Sequence, residues 1–245
     1  MRLAVISDVH GNTPALRAVL ADIAGQDVDV TVNLGDLLSG GLEPARTADL
    51  LIPLELLTVR GNHERQVLED PDETVGRSDR FARQEMTAEH LAWFASLPAT
   101  IEPAPGVLGC HGTPTSDLTY LLHTVSQGRM RPSTDAEIRE RLAGSLHLDL
   151  ILCGHTHLAA IRRVAGGPLV VNPGSVGWPA YDDDQPEFHL VEAGSPHARY
   201  AVVDDAAGTW TADLRQVTYD WTSAAGIAVR NGRPDLVRPL TEGRV

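Results

Sequence analysis

Five short apolar runs in this chain each stop at a glycine and a carboxylate, amide or imidazole side chain. They are LAVISDVHG (3–11), DVTVNLGD (29–36), LELLTVRGN (54–62), VLGCHG (107–112) and LDLILCGHTH (148–157). Apolar runs of this length bounded by glycine read as buried strands. Between the first three lie TPALRAVLADIAG (13–25) and EPARTADLLI (43–52), both of helical pattern. Thr13 is placed to cap the first helix, with Pro14 at its first position and Gly25 just past its end. Strand, helix, strand, helix, strand predicts a parallel sheet with right-handed crossovers. In such an open α/β sheet, ligands bind where the strands end. Asp8, His10, Asp36, Asn62, His63, His111, His155 and His157 are therefore expected to meet in space.

Further along, residues 64–97 are polar and helical, and 113–132 reads as an irregular excursion. A helix capped by Thr134 follows. LAAIRRV with PLVVNPGS, and RYAVVD with TWTADLRQVTYD, predict two hairpins, and the last 25 residues predict one or two surface helices. With no internal repeat and no long linker, the expectation is one domain over 1–245. The segments at about 64–97 and 113–132 are expected to be insertions lying over the site.

Spacing sharpens the site. Residues i and i+2 of an extended chain project to one side, which pairs Asp8 with His10 and His155 with His157. Two carboxylates, several imidazoles and an amide are costly to bury without partners, at a few kcal/mol each. Divalent ions would satisfy them. The mixed N and O donor set suits Mn, Fe, Zn or Ni, and seven ligands imply two ions with one bridging carboxylate. Taken singly, Asp8, Asp36 and Asn62 each have a plain reading as turn residues, and His63 one as a helix cap. It is their joint occurrence that points to a metal centre.

Composition removes competing chemistries. All 20 basic residues are arginine, so a P-loop lysine, a Schiff base and a Ser-Lys dyad are excluded. A net charge of −13 argues against stable nucleic-acid binding. Two cysteines make no disulfide framework. No apolar run approaches membrane-spanning length and no signal peptide precedes the first strand, so the expectation is a cytoplasmic chain without a membrane partner. GSVG (174–177) is not a nucleophile elbow, because Pro173 stands at its first glycine position.

DVH (8–10), GD (35–36), GNHE (61–64), His111 within GCHG and GHTH (154–157) resemble, in order, the five motifs of the calcineurin-like metallophosphoesterases. NPGS (172–175) resembles the small bacterial and archaeal phosphodiesterase branch, to which the retromer subunit of the same fold is similar. The resemblance implies a four-layer αββα sandwich of two mixed β-sheets flanked by helices, with the metal site at the strand carboxyl ends. It implies Asp8, His10, Asp36 and His157 around one ion, and Asp36, Asn62, His111 and His155 around a second. Manganese is the expected metal, with Fe, Zn or Ni as alternatives. His63 becomes a phosphate contact and proton donor to the leaving group, while a metal-bridging hydroxide attacks phosphorus. Asn62, His63, Asn172 and Ser175 become candidate substrate contacts, although Asn172 and Ser175 also read as builders of the turn after VVNPG.

The function implied is metal-dependent hydrolysis of small phosphate esters, with diesters favoured. The alternatives are a phosphomonoesterase or nucleotidase, and a non-catalytic metal-binding scaffold that interacts with proteins. Homo-oligomerisation is left open. Two departures stand out: GD is followed by LLSGG and not by Asp-Arg-Gly, and NPGSVG by Trp178, Pro179 and Ala180 in place of Gln-Pro-Arg.

Overall fold

A computed structural model describes residues 1–142 and 144–245. The strands at the start of the chain alternate strictly, and that alternation builds the layers. Leu3 and Val5 of β1 (Arg2–Ile6) face one way, while Ala4 and Ile6 face the other. The same split recurs in β8 (Leu150–Leu152) and β10 (Leu169–Asn172). Leu150, Leu152, Leu169 and Val171 join Leu3 and Val5 in one core cluster, whereas Ile151 and Val170 turn to another. Each of these strands is apolar on both faces because each face is covered.

The first sheet has the order β14-β13-β1-β2-β3, using β2 (Val30–Asn33), β3 (Leu57–Thr58), β13 (Ala198–Asp204) and β14 (Thr211–Val217). β1, β2 and β3 run parallel, and β13 and β14 add antiparallel strands at one side. The second sheet has the order β4-β5-β8-β10-β9, using β4 (Thr100–Ala104), β5 (Val107–Cys110) and β9 (Ala160–Arg163). β5, β8 and β10 are parallel within it, and its two edges are antiparallel. The sheets pack face to face through Leu3, Val5, Val32, Leu34, Leu150, Leu152, Val171 and Val203.

The outer face of the first sheet is covered by α1 (Thr13–Ile23), α2 (Pro44–Leu51), α7 (Trp221–Arg230) and α8 (Val237–Glu242). α6 (Asp135–Arg141) covers the outer face of the second through Ile138. The result is the expected αββα sandwich of two mixed sheets. No helix among the described residues is long and apolar enough to cross a membrane.

Several local expectations are refined. The cap of α1 is Asn12 and not Thr13: the Asn12 side chain accepts from the amide of Ala15 at 3.1 Å, while the Thr13 hydroxyl pairs with that of Thr47 at 2.8 Å. The third strand is only two residues long. Residues 64–97 form α3 (Asn62–Glu69), α4 (Arg77–Glu85) and α5 (Ala88–Ser96). Val67, Ala82 and Phe94 enter the same core cluster as α1, so these helices extend the outer layer. The excursion at 113–132 is not wholly irregular, because it ends in a hairpin of β6 (His123–Ser126) and β7 (Arg129–Pro132). A hairpin of β11 (Ala180–Asp183) and β12 (His189–Glu192), with no clear sequence signal, follows the NPGS turn.

Candidate metal centre

Side chains reach the centre because the backbone bends sharply just after the strands. Asp8, His10, Asp36, His155 and His157 all have left-handed φ, between 51° and 68°. That region costs a non-glycine residue of order 1–2 kcal/mol, and five of the eight such residues among those described are gathered at this one place. Backbone hydrogen bonds hold the bends together: Asp8 N donates to Gly35 O at 3.0 Å, His10 N to Asp36 O at 3.0 Å, and Gly154 N to His111 O at 2.7 Å.

The convergence expected from the sequence is observed. One ligand atom each from Asp8, His10, Asp36 and His157 lies within 4.8 Å of the others, and so does one each from Asp36, His111 and His155. Asp36 is common to both clusters. Asn62 stands beside the second, its Oδ1 3.0 Å from His111 Nε2. The Asn62 amide nitrogen donates to Gln66 at 3.0 Å, which turns the oxygen inward.

Proton positions test whether these groups suit a cation. His10 Nδ1 donates to Ser39 O, His157 Nδ1 to Trp178 O at 2.6 Å, and His111 Nδ1 to Leu34 O at 2.7 Å. A neutral imidazole that donates from Nδ1 carries a bare lone pair on Nε2. The Nε2 atoms of His10 and His157 nevertheless face each other at 3.0 Å. Both carboxylate oxygens of Asp8 are buried without a hydrogen-bond partner among the described residues. His157 Nε2 lies 3.3 Å from Asp8 Oδ1, close enough for ion pairing but without hydrogen-bond geometry. Lone pairs and carboxylate oxygens crowded together without protons are what a divalent ion satisfies, so the residues fit a metal.

The electrostatics agree. Burial pushes the Asp36 carboxyl up, but His111 and His63 outweigh it and hold the group well below its ordinary range. Burial opposes charge on His111, yet Asp36 raises it to about 9. Burial, then His157, lowers His10 to about 3, and burial, then His111, lowers His155 to about 3. In the metal-free protein a proton on His111 thus stands where a cation would. Ion binding at pH 7 should expel about one proton per chain, read as a buffer-dependent enthalpy in titration calorimetry. The folded value lies above the unfolded one of about 6.5. Its stabilising contribution is therefore complete below about pH 6.5 and lost as pH rises through about 9. The metal-free melting temperature should fall across that window, and the metal-loaded one should fall less.

His63 belongs to neither cluster. Its Nδ1 pairs with Asp79 Oδ1 of α4 at 2.6 Å, and its ring lies edge-on to His10 with centroids 5.4 Å apart. The His63 side chain is 24% exposed, against 2% for Asp36 and 1% for His111. Burial would lower its pKa, but Asp36 and Asp79 raise it to about 10.

Two further residues escaped the sequence reading. Asp79 sits in a polar helix with no motif around it. Glu64 is fully buried and accepts from the amides of Asp36, Leu37 and Gly61 at 2.9, 2.8 and 2.8 Å, tying the β2 and β3 loops together. Glu64, three residues after Gly61, supplies the returning half of a capping box, and that spacing is the one signal that could have revealed it. Asn172 and Ser175, expected to touch substrate, are 1% exposed and face inward. Asn172 donates to Gly154 O at 2.7 Å and Thr156 Oγ1 at 3.0 Å, and Ser175 donates to Asp8 O at 2.8 Å. Their polar atoms are already committed to the loops that carry the ligands. His123 lies on β6 with its Nδ1 buried and unpartnered among the described residues.

Glycine permits the close approach. A Cβ on Gly61 would lie 2.2 Å from Asp36 Oδ1, and one on Gly154 would lie 2.0 Å from Ser7 Oγ and 3.0 Å from Asp8 Oδ2. Overpacking of this kind costs about 1–3 kcal/mol. Gly61→Ala and Gly154→Ala should each lower Tm by roughly 3–10 °C and reduce bound metal, as read by thermal melting and elemental analysis.

Fold and site together define a metallophosphoesterase scaffold. A sequence model described as the calcineurin-like phosphoesterase superfamily domain matches residues 1–195, and the chain belongs to that superfamily. The crystal structure of a metallophosphoesterase from Sphaerobacter thermophilus is similar over 99% of this chain and 100% of that one, at 26% identity and a TM-score of 0.76. Hypothetical protein PH1004 from Pyrococcus horikoshii shares the fold, with a TM-score of 0.77 at 18% identity over 99% of this chain and 98% of that one. The uncharacterized protein MJ0912 of Methanocaldococcus jannaschii is 26% identical over 257 residues, 95% of this chain and 94% of that protein.

Proposed function

We propose that this chain hydrolyses phosphodiesters with two divalent ions, most simply manganese. The observation that carries the reading is a pair of ligand clusters sharing one carboxylate, Asp36, with a partly exposed imidazole paired to a buried carboxylate beside them that serves neither cluster. Asp8, His10, Asp36 and His157 would hold the first ion. Asp36, Asn62, His111 and His155 would hold the second. Bound ions would supply a nucleophile from water at neutral pH and neutralise charge on the phosphoryl oxygens.

The chain's own residues do the rest. His63 is anchored through Nδ1 to Asp79, so Nε2 is the atom that hands a proton to the leaving oxygen. Cations beside Asp36 would weaken that carboxylate's hold on the His63 proton, leaving Asp79 as the group that keeps it. Gln66 orients Asn62, and Glu64 fixes the loop that carries Asp36. Asn172 and Ser175 position the GHTH and DVH loops and do not contact substrate.

Diester preference draws support from charge. Arg65, the arginine closest in sequence to His63 on α3, is bound in bidentate fashion by Asp117 at 2.6 and 3.1 Å. It is therefore not free to receive the second negative charge of a monoester. A metal-binding scaffold without turnover would have no use for the His63–Asp79 pair.

The test compares bis-p-nitrophenyl phosphate with p-nitrophenyl phosphate on manganese-loaded protein. A kcat/KM greater for the diester is expected, with two ions per chain by elemental analysis. No rate above background on either ester would overturn the reading.

A further inference from the structure

His155 differs from the other candidate imidazole ligands in which nitrogen it commits elsewhere. His10, His111 and His157 donate from Nδ1 to strand-end and loop carbonyls, but His155 donates from Nε2, to Leu118 O at 3.1 Å. Its tautomer is thus set by the excursion, a segment outside both sheets, and Nδ1 is left as the bare nitrogen. The Tyr120 ring lies 4.9 Å from that of His155 and completes the wall.

What fixes the wall is the residue before Leu118. Asp117 takes both Nε and Nη2 of Arg65 at 2.6 and 3.1 Å, with each side chain about one-quarter exposed. Arg65 lies on α3, three residues after Asn62. Asn62 comes from the first sheet's end of the centre and His155 from the second. The ion pair therefore ties α3, which carries Asn62, to the excursion whose Leu118 carbonyl meets His155, and its fork geometry gives it more hold than an ordinary surface pair.

We propose that Arg65 and Asp117 form a positioning pair for the second ion: they lock the Leu118 carbonyl onto His155 Nε2, so that His155 Nδ1 and Asn62 Oδ1 are presented together. The proposal rests on the two-ion reading above. It assigns the excursion the role of a fixed wall whose backbone selects a ligand atom.

Arg65→Ala, Asp117→Ala and the swap Arg65→Asp with Asp117→Arg, each in the full chain, test it. Manganese titration of the wild-type protein should give two ions. Each single variant should weaken one of the two sites by about 10-fold or more and leave the other unchanged, as expected when a group orienting a ligand is lost. The swap should restore much of the loss. Nitrogen-15 spectra of the metal-free protein give a readout independent of metal and turnover. The His155 ring should be Nε2-protonated in the wild type and mixed in Asp117→Ala, with His10 unchanged. Two ions bound equally tightly by Asp117→Ala, or an unaltered His155 tautomer in it, would overturn this proposal and leave the proposed function standing. A wild-type protein that binds one ion would overturn both.

Discussion

Asp36→Asn should strip both of the proposed ions from the protein and abolish the proposed turnover. Asp36 is the carboxylate common to both ligand clusters, and its φ of 55° is a conformation asparagine tolerates. The substitution therefore removes charge while leaving the bend intact. The amide oxygen can still accept from His63 N, as the carboxylate does at 3.1 Å. Bound metal should fall from two ions to below one per chain, and kcat/KM on bis-p-nitrophenyl phosphate by at least about 10³-fold, roughly 4 kcal/mol of transition-state stabilisation. Elemental analysis and initial rates measure both. A variant that kept its ions would show that the centre is not organised around Asp36.

His63→Ala should separate chemistry from metal binding. The imidazole touches Asp79 and sits outside both clusters, so metal content should stay at two. Loss of a proton donor costs about 10²–10⁴-fold in kcat. The size of the loss should depend on the leaving group. A p-nitrophenolate departs without needing a proton, whereas an alkoxide does not, so diesters with alkyl leaving groups should suffer most. Asp79→Asn should show the same leaving-group pattern with a smaller effect, because the ring remains but is less firmly oriented and charged. If His63→Ala lost metal as completely as Asp36→Asn, the division between ligands and proton donor would be wrong.

The contrast between Asp36 and the His63–Asp79 pair explains which parts of the site could be read from the chain. Asp8, His10, Asp36, His111, His155 and His157 each follow an apolar run and stand beside or close to glycine, so strand periodicity alone places them at one rim. Their meeting then needs the left-handed bends that follow the strands, which periodicity does not announce. Asp79 carries no such mark. It lies in RSDRFARQE, a polar helix whose side chains could each be solvated, and only the packing of α4 against α3 brings it to His63. The Leu118 carbonyl is less legible still, because every residue has a carbonyl and none is announced by its side chain.

Asn172 and Ser175 had two readings from the sequence, substrate contact and turn building. NPGS is a recognisable string, and polar residues in a recognisable string invite a substrate role. Their burial supports the turn-building reading: their donors are occupied by Gly154, Thr156 and Asp8, in the loops around the site.

By itself the sequence determined the alternation that sorts Leu3 and Val5 from Ala4 and Ile6, the ends of the strands, and the donor types gathered there. Those follow from a repeat of two residues and from local steric rules, which neighbouring residues enforce. Only the tertiary structure decided which nitrogen each histidine presents and which acid stands behind His63. These depend on single hydrogen bonds between segments 16 to 77 residues apart, among them His63–Asp79 and His111–Leu34. Such a bond is set by where packing leaves an acceptor and not by any pattern along the chain.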